Sequence, residues 1–305
     1  MRATLLMVLS SIRSERQLME QMNYNLLFRW FVGLEMDDAV WDVTVFTKNR
    51  ERLIAGAVSQ RLLESVLVEA REHSLLSEEH FTMDGTLIQA WAAARSFKEK
   101  SDPPAPGAGS GHQGEVLLRD KVESSTDPDT RLYKKATAAK AVSSYQGHAL
   151  TENRNGLVVA AEATLAATVA EREAALRMLD QTVAAKGKRS PEQEITLGAD
   201  TQYQDEKFVQ DLRDRDVAPH VSEYVKGNLG KNSLRAEEQA DPRRAISQRK
   251  RKLIERVFGW SKLDRPLHQV KLRGLDRVDW FYRLTIVAYH LVRMRRLIAI
   301  ESLAH

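Results

Sequence analysis

The stretch EEHFTMDGTLIQAWA, residues 78–92, marks the point at which the sequence changes from helical patterns to strand patterns. Apolar and polar residues alternate around Asp84, and this period of two residues is typical of a β-strand. Asp84 lies inside the run rather than at a turn. The stretch therefore predicts a sheet and makes Asp84 a candidate functional residue, although a structural role is the simpler interpretation for a single aspartate.

Upstream of this strand, residues 1 to about 75 have the pattern of helices joined by short connections. SERQLMEQM opens with Ser14 three residues before Gln17, which is the spacing of a capping box. Gly33 follows the apolar run NYNLLFRWFVGL and predicts the end of a helix. SQRLLESVLVEAREHSLL has the period of an amphipathic helix. We therefore expect a helical N-terminal region over residues 1–75.

Downstream of the strand, helix and strand patterns alternate. Residues 97 to about 140 are rich in Pro, Gly, Ser and charge, which predicts a flexible insertion. YQGHALTENRNGLVVAAEATLA, residues 145–166, predicts a hairpin that turns at ENRNG. A helix, a strand ending at Asp200, a helix, a strand and two further helices follow. This order predicts an α/β fold over residues 76–305, with a central mixed sheet flanked by helices.

The last predicted helix, from about residue 278 to 299, carries an apolar stripe at helical spacing that we expect in the core: Trp280, Leu284, Val287, Leu291, Met294 and Ile298. Its segment LTIVAYHLV is about half of the roughly 20 residues that a bilayer span needs, so we expect no membrane association. The N-terminus has too short an apolar run for a secretory signal, and the chain has no cysteine. Both features favour the cytoplasm, and the second excludes disulfides, thiol nucleophiles and thiolate zinc sites.

Positive charge is concentrated towards the C-terminus. The net charge is only +4, but residues 243–298 contain sixteen lysines and arginines against four acidic residues. A block of this density favours a polyanionic partner such as nucleic acid. A solvated helical surface is the alternative that charge alone leaves open.

Within this block, SQRKRKLIERVFGWSK, residues 247–262, places four polar residues on one side of a helix: Gln248, Arg251, Glu255 and Lys262. The opposite side is apolar. An exposed Arg251–Glu255 pair would be worth only about 0.3–0.5 kcal/mol. In the functional interpretation, Glu255 joins Asp84 and Asp200 to hold two Mg²⁺ ions, which prefer oxygen ligands, while the neighbouring cations hold phosphates.

In combination these segments resemble the bacterial insertion-sequence transposases of the DDE class, in particular the group typified by insertion sequence five. Arg251, Glu255 and Lys262 match the signature Y-x2-R-x3-E-x6-K of its third-carboxylate helix, with Gln248 at the tyrosine position. MDGTLIQAW and LGADTQYQDEKFV resemble the strands of the first two aspartates. STDPDTRLYKK, GHALTENRNGLVV and RGLDRV agree as well, so the resemblance covers nearly the whole chain.

The resemblance implies a ribonuclease H-like catalytic domain behind an N-terminal region that binds DNA ends. Asp84, Asp200 and Glu255 would be catalytic ligands of two Mg²⁺ ions, with Mn²⁺ as a substitute. The DNA-binding residues would be Arg251, Lys262, Arg249, Lys250, Lys252 and Gln248. The implied protein is a homodimer in the synaptic complex, near the bacterial nucleoid. It would bind terminal inverted repeats, cleave there and transfer the strands to target DNA.

Two departures from the family pattern keep other interpretations open. Thr201 and Gln202 replace the usual Lys-Gly, and a glutamine at a site of positive φ would strain the loop that positions Asp200. Relatives also have several dozen more residues before RATLLMVLSS, so we expect a truncated copy. The alternative is an impaired or truncated transposase that acts only as a DNA-binding protein or repressor. A ribonuclease H-like nuclease with a host role is a third class. We also expect Trp30 in the core and consider Arg29 a DNA contact.

Overall fold

The computed structural model describes residues 1–101, 121–134, 140–167, 170–184, 194–223, 233–263 and 266–303. Residues 1–75 are helical, as predicted, with α1 (Arg2–Leu9), α2 (Glu15–Tyr24), α3 (Leu26–Val32), α4 (Val43–Ala55) and α5 (Val58–Glu72). Ser14 caps α2 by accepting a hydrogen bond from the backbone N–H of Gln17 at 3.2 Å. Gly33, with a φ of 87°, ends α3. Both predicted helix boundaries are confirmed.

Seven strands of the described residues form one mixed sheet: β1 (His80–Ala90), β4 (Arg131–Tyr133), β5 (Val142–Glu152), β6 (Val158–Leu165), β7 (Ile195–Ala199), β8 (Val217–Val221) and β9 (Gln269–Val270). β5 lies antiparallel between β1 and β6, and its first residues pair with β4. β7 and β9 run parallel to β1, and β8 runs parallel to β7. The predicted hairpin at 145–166 is confirmed as β5 and β6.

Much of the predicted insertion at 97–140 lies outside the described residues, namely 102–120 and 135–139. The described parts of this segment contain short strands. β2 (Phe97–Glu99) pairs with β3 (Val122–Ser124) as a separate antiparallel ribbon, and β4 joins the main sheet. Asp127 is buried and accepts a hydrogen bond from the Tyr145 hydroxyl at 2.7 Å, which ties this segment to β5.

Helices cover both faces of the sheet. On one face α6 (Ala170–Ala184) and α7 (Glu206–Arg213) pack against Phe81, Met83 and Leu197. On the other face α10 (Lys252–Lys262) and α11 (Leu275–Leu303) pack against Ile88 and Tyr145, and α1 and α5 share this core. Two short helices, α8 (Ala236–Ala240) and α9 (Pro242–Lys250), precede α10. The predicted α/β fold, a central mixed sheet flanked by helices, is confirmed.

Two details of the helices differ from the sequence predictions. Residues 247–262 are not one helix, because Arg251 separates α9 from α10 in a tightened turn in which Ile254 N–H donates to the Arg251 carbonyl. Leu291 is 42% exposed, since α11 is buried on nearly all sides from Leu284 to His290 and emerges into solvent after that. No helix among the described residues is both long and apolar enough to cross a membrane.

The roles expected for Arg29 and Trp30 are reversed. Arg29 is 5% exposed, and its guanidinium donates hydrogen bonds to the backbone carbonyl of Met22 in α2 and to those of Met36 and Asp38 in the loop after α3. Trp30 is 74% exposed, so the expectation of a core position is wrong. The helical period alone did not distinguish them, because the loop that folds over Arg29 supplies acceptors that only the tertiary structure brings together.

Candidate functional site

Asp84 and Asp200 meet because β1 and β7 are parallel neighbours. Thr82 lies opposite Gly198 in this pair, and two residues further along each strand are Asp84 and Asp200. Successive side chains of a strand point to opposite faces, so residues two apart share a face. The register therefore brings both aspartates to the same face and the same level of the sheet. Asp200 directly follows β7, so its predicted position at the end of a strand is confirmed.

The third predicted carboxylate comes from the helix that covers this face. Ile254 and Val257 are fully buried and fasten α10 to the core, whereas Glu255 is exposed on the side that faces the aspartates. The apolar and polar sides predicted for this helix are thus present. Trp260 is half-buried and packs edge-on against Tyr289 with ring centroids 5.7 Å apart, in line with the predicted core role.

One open cleft of about 920 Å³ contains all three predicted carboxylates. It is lined by Arg13, Asp84, Gly85, Thr86, Leu87, Tyr133, Gln146, Glu171, Asp200, Gln202, Glu255, Phe258, Gly259, Lys262, Leu263 and His268. Asp84, Asp200 and Glu255 are 116 and 55 residues apart along the chain, so only the fold brings them together. Among the described residues, no group of three acidic or histidine side chains is arranged around one position that could hold a metal ion.

The loop after Asp200 is not strained. Thr201–Tyr203 form a turn of 3₁₀ helix, and Asp200 caps it by accepting a hydrogen bond from the Gln202 N–H at 2.8 Å. The non-glycine residues with positive φ lie elsewhere, and Gln202 is not one of them. The expected strain from replacing Lys-Gly is therefore wrong, because this turn does not use the left-handed conformation that favours glycine.

The cleft concentrates negative charge. The pKa of Asp84 is raised to about 6, mainly by burial and also by the negative charges of Asp200 and Glu255, while the Gly85 N–H and the Arg251 guanidinium oppose the shift. The Gly85 N–H donates to Asp84 Oδ1 at 2.8 Å. A carboxyl group held among other carboxylates is stabilised in its charged form by a bound cation.

The predicted DNA-binding residues are distributed around the cleft. Lys262 lines it, and Arg251 is half-buried and acts electrostatically on Asp84. Arg249, Lys250 and Lys252 are exposed on α9 and α10 but do not line the cleft.

Gln248 is used inside the protein. Its amide nitrogen donates to the backbone carbonyls of Ala199, at 3.3 Å, and His220, and its amide oxygen accepts from the Ser222 hydroxyl. These bonds connect α9 to the ends of β7 and β8. Gln248 therefore braces the strand that leads to Asp200.

The sequence analysis missed one acidic residue of the cleft, Glu171 in the first turn of α6. Burial raises its pKa to about 7, and the charges of Asp84 and Asp200 contribute. An acidic residue in the first turn of a helix is ordinary, so its spacing carried no signal. The available signal was topological, since α6 starts just after β6 and joins it to β7, whose end carries Asp200.

A second cavity of about 460 Å³ lies between the N-terminal helices and the segment after β9, and Arg13 lines both this cavity and the cleft. Four exposed cations line it: Arg13, Arg16, Lys271 and Arg273. The Lys271 ammonium lies 5.3 Å from the ring centre of Trp91. Positive surface therefore continues from the cleft towards the N-terminal helices.

Comparisons with known proteins agree with this arrangement. Residues 1–52 match the transposase domain (DUF772), and residues 109–291, more than half of the chain, match the transposase DDE domain. Asp200 and Glu255 lie inside the second match and Asp84 lies before it. Neither match identifies the insertion-sequence-five group. No curated protein matches the chain.

Two solved structures are similar to the chain over most of its length. The Mos1 transposase paired-end complex with left transposon end is 13% identical, with 86% of this chain and 77% of that chain covered and a TM-score of 0.24. The Mos1 strand transfer complex is 14% identical, with 86% and 76% covered and a TM-score of 0.24.

Proposed function

The chain belongs to the family of transposases with a DDE domain, and on this premise we propose that it binds the terminal inverted repeats of an insertion sequence, cleaves the DNA there and joins the ends to target DNA. The observation that carries the proposal is the common cleft of Asp84, Asp200 and Glu255, with Lys262 on its rim. Its place of action would be the DNA of the bacterial cytoplasm.

The family implies dependence on a divalent metal, and the donor set of the cleft fits Mg²⁺, with Mn²⁺ as a substitute. The negative charges of Asp200 and Glu255 both act on Asp84. It would share one ion with each of them. Mg²⁺ keeps several waters and needs only one or two carboxylates besides substrate phosphate, so no ion has to touch three side chains. When bound, two such ions activate the attacking oxygen and stabilise the leaving oxygen.

The bond changes of the proposed reaction need no covalent bond to the protein. A water oxygen attacks phosphorus at the end of the element, the bond from phosphorus to the 3′ oxygen breaks, and a 3′-hydroxyl is released. That hydroxyl oxygen then attacks a phosphorus of the target, and the target's own 3′ oxygen leaves. Arg251 and Lys262 would hold the phosphates in place, because a positive side chain binds the DNA backbone without reading its sequence.

Recognition of the DNA ends is proposed for residues 1–75. Arg13 lines the cleft and is exposed, and the basic cavity beyond it leads towards the N-terminal helices. A phosphate backbone that leaves the cleft past Arg13 would next meet Lys271 and Arg273. Trp30 is exposed on α3 and is available for a contact outside the protein, whereas the buried guanidinium of Arg29 is not. A homodimer would pair two such ends.

A cleavage assay tests this function. The full chain is incubated with Mg²⁺ or Mn²⁺ and a duplex that carries the inverted repeat of its own element, and nicks at the repeat end are counted. We expect the wild type to cut, and Glu255→Gln to abolish cutting while binding to the duplex changes by less than about threefold. Glu237→Gln, at an exposed residue of α8, is the matched control and should cut normally.

Two results would overturn the proposal in different ways. A wild type that binds the repeat without cutting would identify the non-catalytic DNA-binding protein that the sequence analysis left open. A Glu255→Gln variant that cuts as fast as Glu237→Gln would show that cleavage does not depend on the carboxylates of the cleft.

A further inference from the structure

Glu171 is a fourth carboxylate in the cleft, and the three-residue signature gives it no role. It is half-buried at the start of α6, on the far side of the sheet from α10. Among the described residues no lysine or arginine forms an ion pair with it, although the charge of Arg172 acts on it more weakly than those of Asp84 and Asp200. An acidic group in such surroundings is costly unless something positive compensates it.

The protein holds this carboxylate in a fixed position. Gln146 in β5, which is 1% exposed, donates a hydrogen bond from Nε2 to Glu171 Oε1. Gly85, directly after Asp84, leaves room for it, because a Cβ atom at residue 85 would lie 2.7 Å from Glu171 Oε1. The glycine beside the first aspartate thus makes space for the fourth acid, and the two carboxylates are neighbours across the sheet edge.

A second observation points to a ligand at this place. The hydroxyl of Tyr203 is buried, with the residue 1% exposed, and it has no hydrogen-bond partner among the described residues. The carboxylates that act on it are Glu171, Asp84 and Asp200. A buried hydroxyl without a partner costs free energy, and a water molecule held by a cation would supply that partner.

We propose that Glu171 serves the metal site through a bound water: its carboxylate accepts a hydrogen bond from a water held by the cation at Asp84 and Asp200. The Tyr203 hydroxyl would hydrogen-bond to a water of the same shell. This inference rests on the proposed function, since it assigns a further residue to that cation. A carboxylate that orients a metal-bound water strengthens metal binding without touching the ion, and Gln146 keeps Glu171 in place.

The competing explanation is that Glu171 only anchors α6 to β5 through Gln146. Glu171→Gln separates the two roles, because a glutamine keeps the shape and an oxygen that accepts from Gln146 but removes the charge. Glu173→Gln removes the same charge from the same turn of α6 at an exposed position outside the cleft, and is the matched control. Gly85→Ala keeps every charge but displaces the Glu171 carboxylate.

The experiment measures the Mn²⁺ affinity of the full chain by calorimetry, together with the rise in melting temperature that Mn²⁺ causes. We expect Glu173→Gln to match the wild type. Glu171→Gln and Gly85→Ala should each bind Mn²⁺ about 10- to 100-fold more weakly. Without metal, Glu171→Gln should melt at or above the wild-type temperature, because it removes repulsion between carboxylates, and this shows that the variant is folded.

Asp84→Asn distinguishes failure of this inference from failure of the proposed function. If Asp84→Asn loses Mn²⁺ binding while Glu171→Gln binds as tightly as Glu173→Gln, the role proposed for Glu171 is wrong and the site of Asp84, Asp200 and Glu255 stands. If the wild type binds no Mn²⁺, or if Asp84→Asn binds it as the wild type does, the cation site of the proposed function fails, and this inference fails with it.

Discussion

The acidic cleft and the basic surface of α9 and α10 are built in different ways. Asp84 and Asp200 stand on neighbouring parallel strands, and the strand register fixes them at one level. Arg249, Lys250 and Lys252 extend from helices into solvent. Carboxylates that share a cation must keep a defined separation, whereas cations that meet a phosphate backbone need only be near it. The comparison indicates that the carboxylates of the cleft determine the chemistry and the exposed cations of α9 and α10 determine the affinity.

The largest effect is expected from removing a charge at the sheet edge. Asp200→Asn keeps the oxygen that caps the turn at Gln202 but removes the negative charge, so the loop should remain folded. We expect the cleavage rate to fall on the order of a thousandfold, the scale on which enzymes depend on one electrostatic group. DNA binding should change little.

Asp214→Asn, at an exposed position just after α7, is the control for that variant. It should cleave at the wild-type rate in the same assay. A normal rate for Asp200→Asn would contradict the proposed division between the acidic cleft and the basic surface.

The basic surface should respond in affinity instead. Replacing Arg249, Lys250 and Lys252 together by glutamine should weaken DNA binding on the order of ten- to a hundredfold. The slope of log Kd against log salt should fall by about 1 for each DNA phosphate that the variant no longer neutralises. The cleavage rate at saturating DNA should stay the same. Binding is measured by titration at several salt concentrations.

Arg295→Gln with Arg296→Gln removes two exposed charges from α11 at residues that line neither cavity. This pair should leave the salt slope unchanged. An equal drop in slope for both sets would mean that total charge, rather than the surface of α9 and α10, controls binding.

Packing beneath β5, which lies between β1 and β6, should matter more for stability than packing at the helix surface. A Cβ atom at Gly147 in β5 would lie 2.9 Å from Ile88 Cδ1 and 3.1 Å from the Tyr282 ring. Gly147→Ala should therefore lower the free energy of unfolding by about 1–3 kcal/mol. Denaturant titration measures it.

Gly259 in α10 offers the matched control, because a Cβ atom there would meet nothing within 4 Å. Gly259→Ala should raise the free energy of unfolding by roughly 0.5–1 kcal/mol, since alanine favours the helix. Equal effects of the two substitutions would contradict the packing described for β5.

The smallest effect is a pH dependence of the metal-free protein. Asp84 has a pKa of about 6 and Glu171 of about 7 in the folded chain, both above their ordinary values. Between pH 4 and pH 7 the folded state therefore binds more protons than the unfolded state, and these groups reduce stability as the pH rises. Between pH 4 and pH 7 the free energy of unfolding of the wild type should fall by on the order of 1 kcal/mol more than that of Glu171→Gln.

Melting curves in EDTA at several pH values measure this difference. The charge of Arg251 favours ionised Asp84, and that of Arg172 favours ionised Glu171, so both limit the effect. Adding Mn²⁺ should oppose the loss of stability with rising pH in the wild type, because the cation stabilises both carboxylates in their charged form. If the melting temperatures of wild type and Glu171→Gln change equally with pH in EDTA, the pKa of Glu171 is not raised by the other carboxylates of the cleft.

The sequence predicted those parts of the site that depend on local pattern. Asp84 in an alternating run and Asp200 at the end of a buried strand lie where a parallel sheet brings functional groups together. The break between α9 and α10 at Arg251 was not predicted. Arg251, Glu255 and Lys262 still have helical spacing, because Arg251 keeps a right-handed helical conformation. The alternation of strand and helix patterns predicted a mixed sheet flanked by helices, but not the order of the strands within the sheet.

The parts that escaped prediction depend on contacts between distant segments. Glu171 enters the cleft only because Gly85 leaves space and Gln146 holds it. Gln248 occupies the tyrosine position of the signature, but its side chain bonds to the backbone of β7 and β8 instead of facing outward. Trp30 lies on an apolar helical run yet is exposed. Glu171 and Gln248 have partners that are tens of residues away along the chain. Trp30 is exposed because no other segment of the described residues covers its side of α3.

If Asp84, Asp200 and Glu255 together hold the ions that cut DNA, X-ray diffraction from crystals of the full chain with Mn²⁺ and a DNA end will show those ions. Anomalous scattering from manganese locates the ions without reference to activity. We expect anomalous peaks within ligand distance of Asp84 and Asp200 and of Asp84 and Glu255. At saturating Mn²⁺, an empty cleft, or manganese bound only at residues outside it, would show that these carboxylates do not form the metal site.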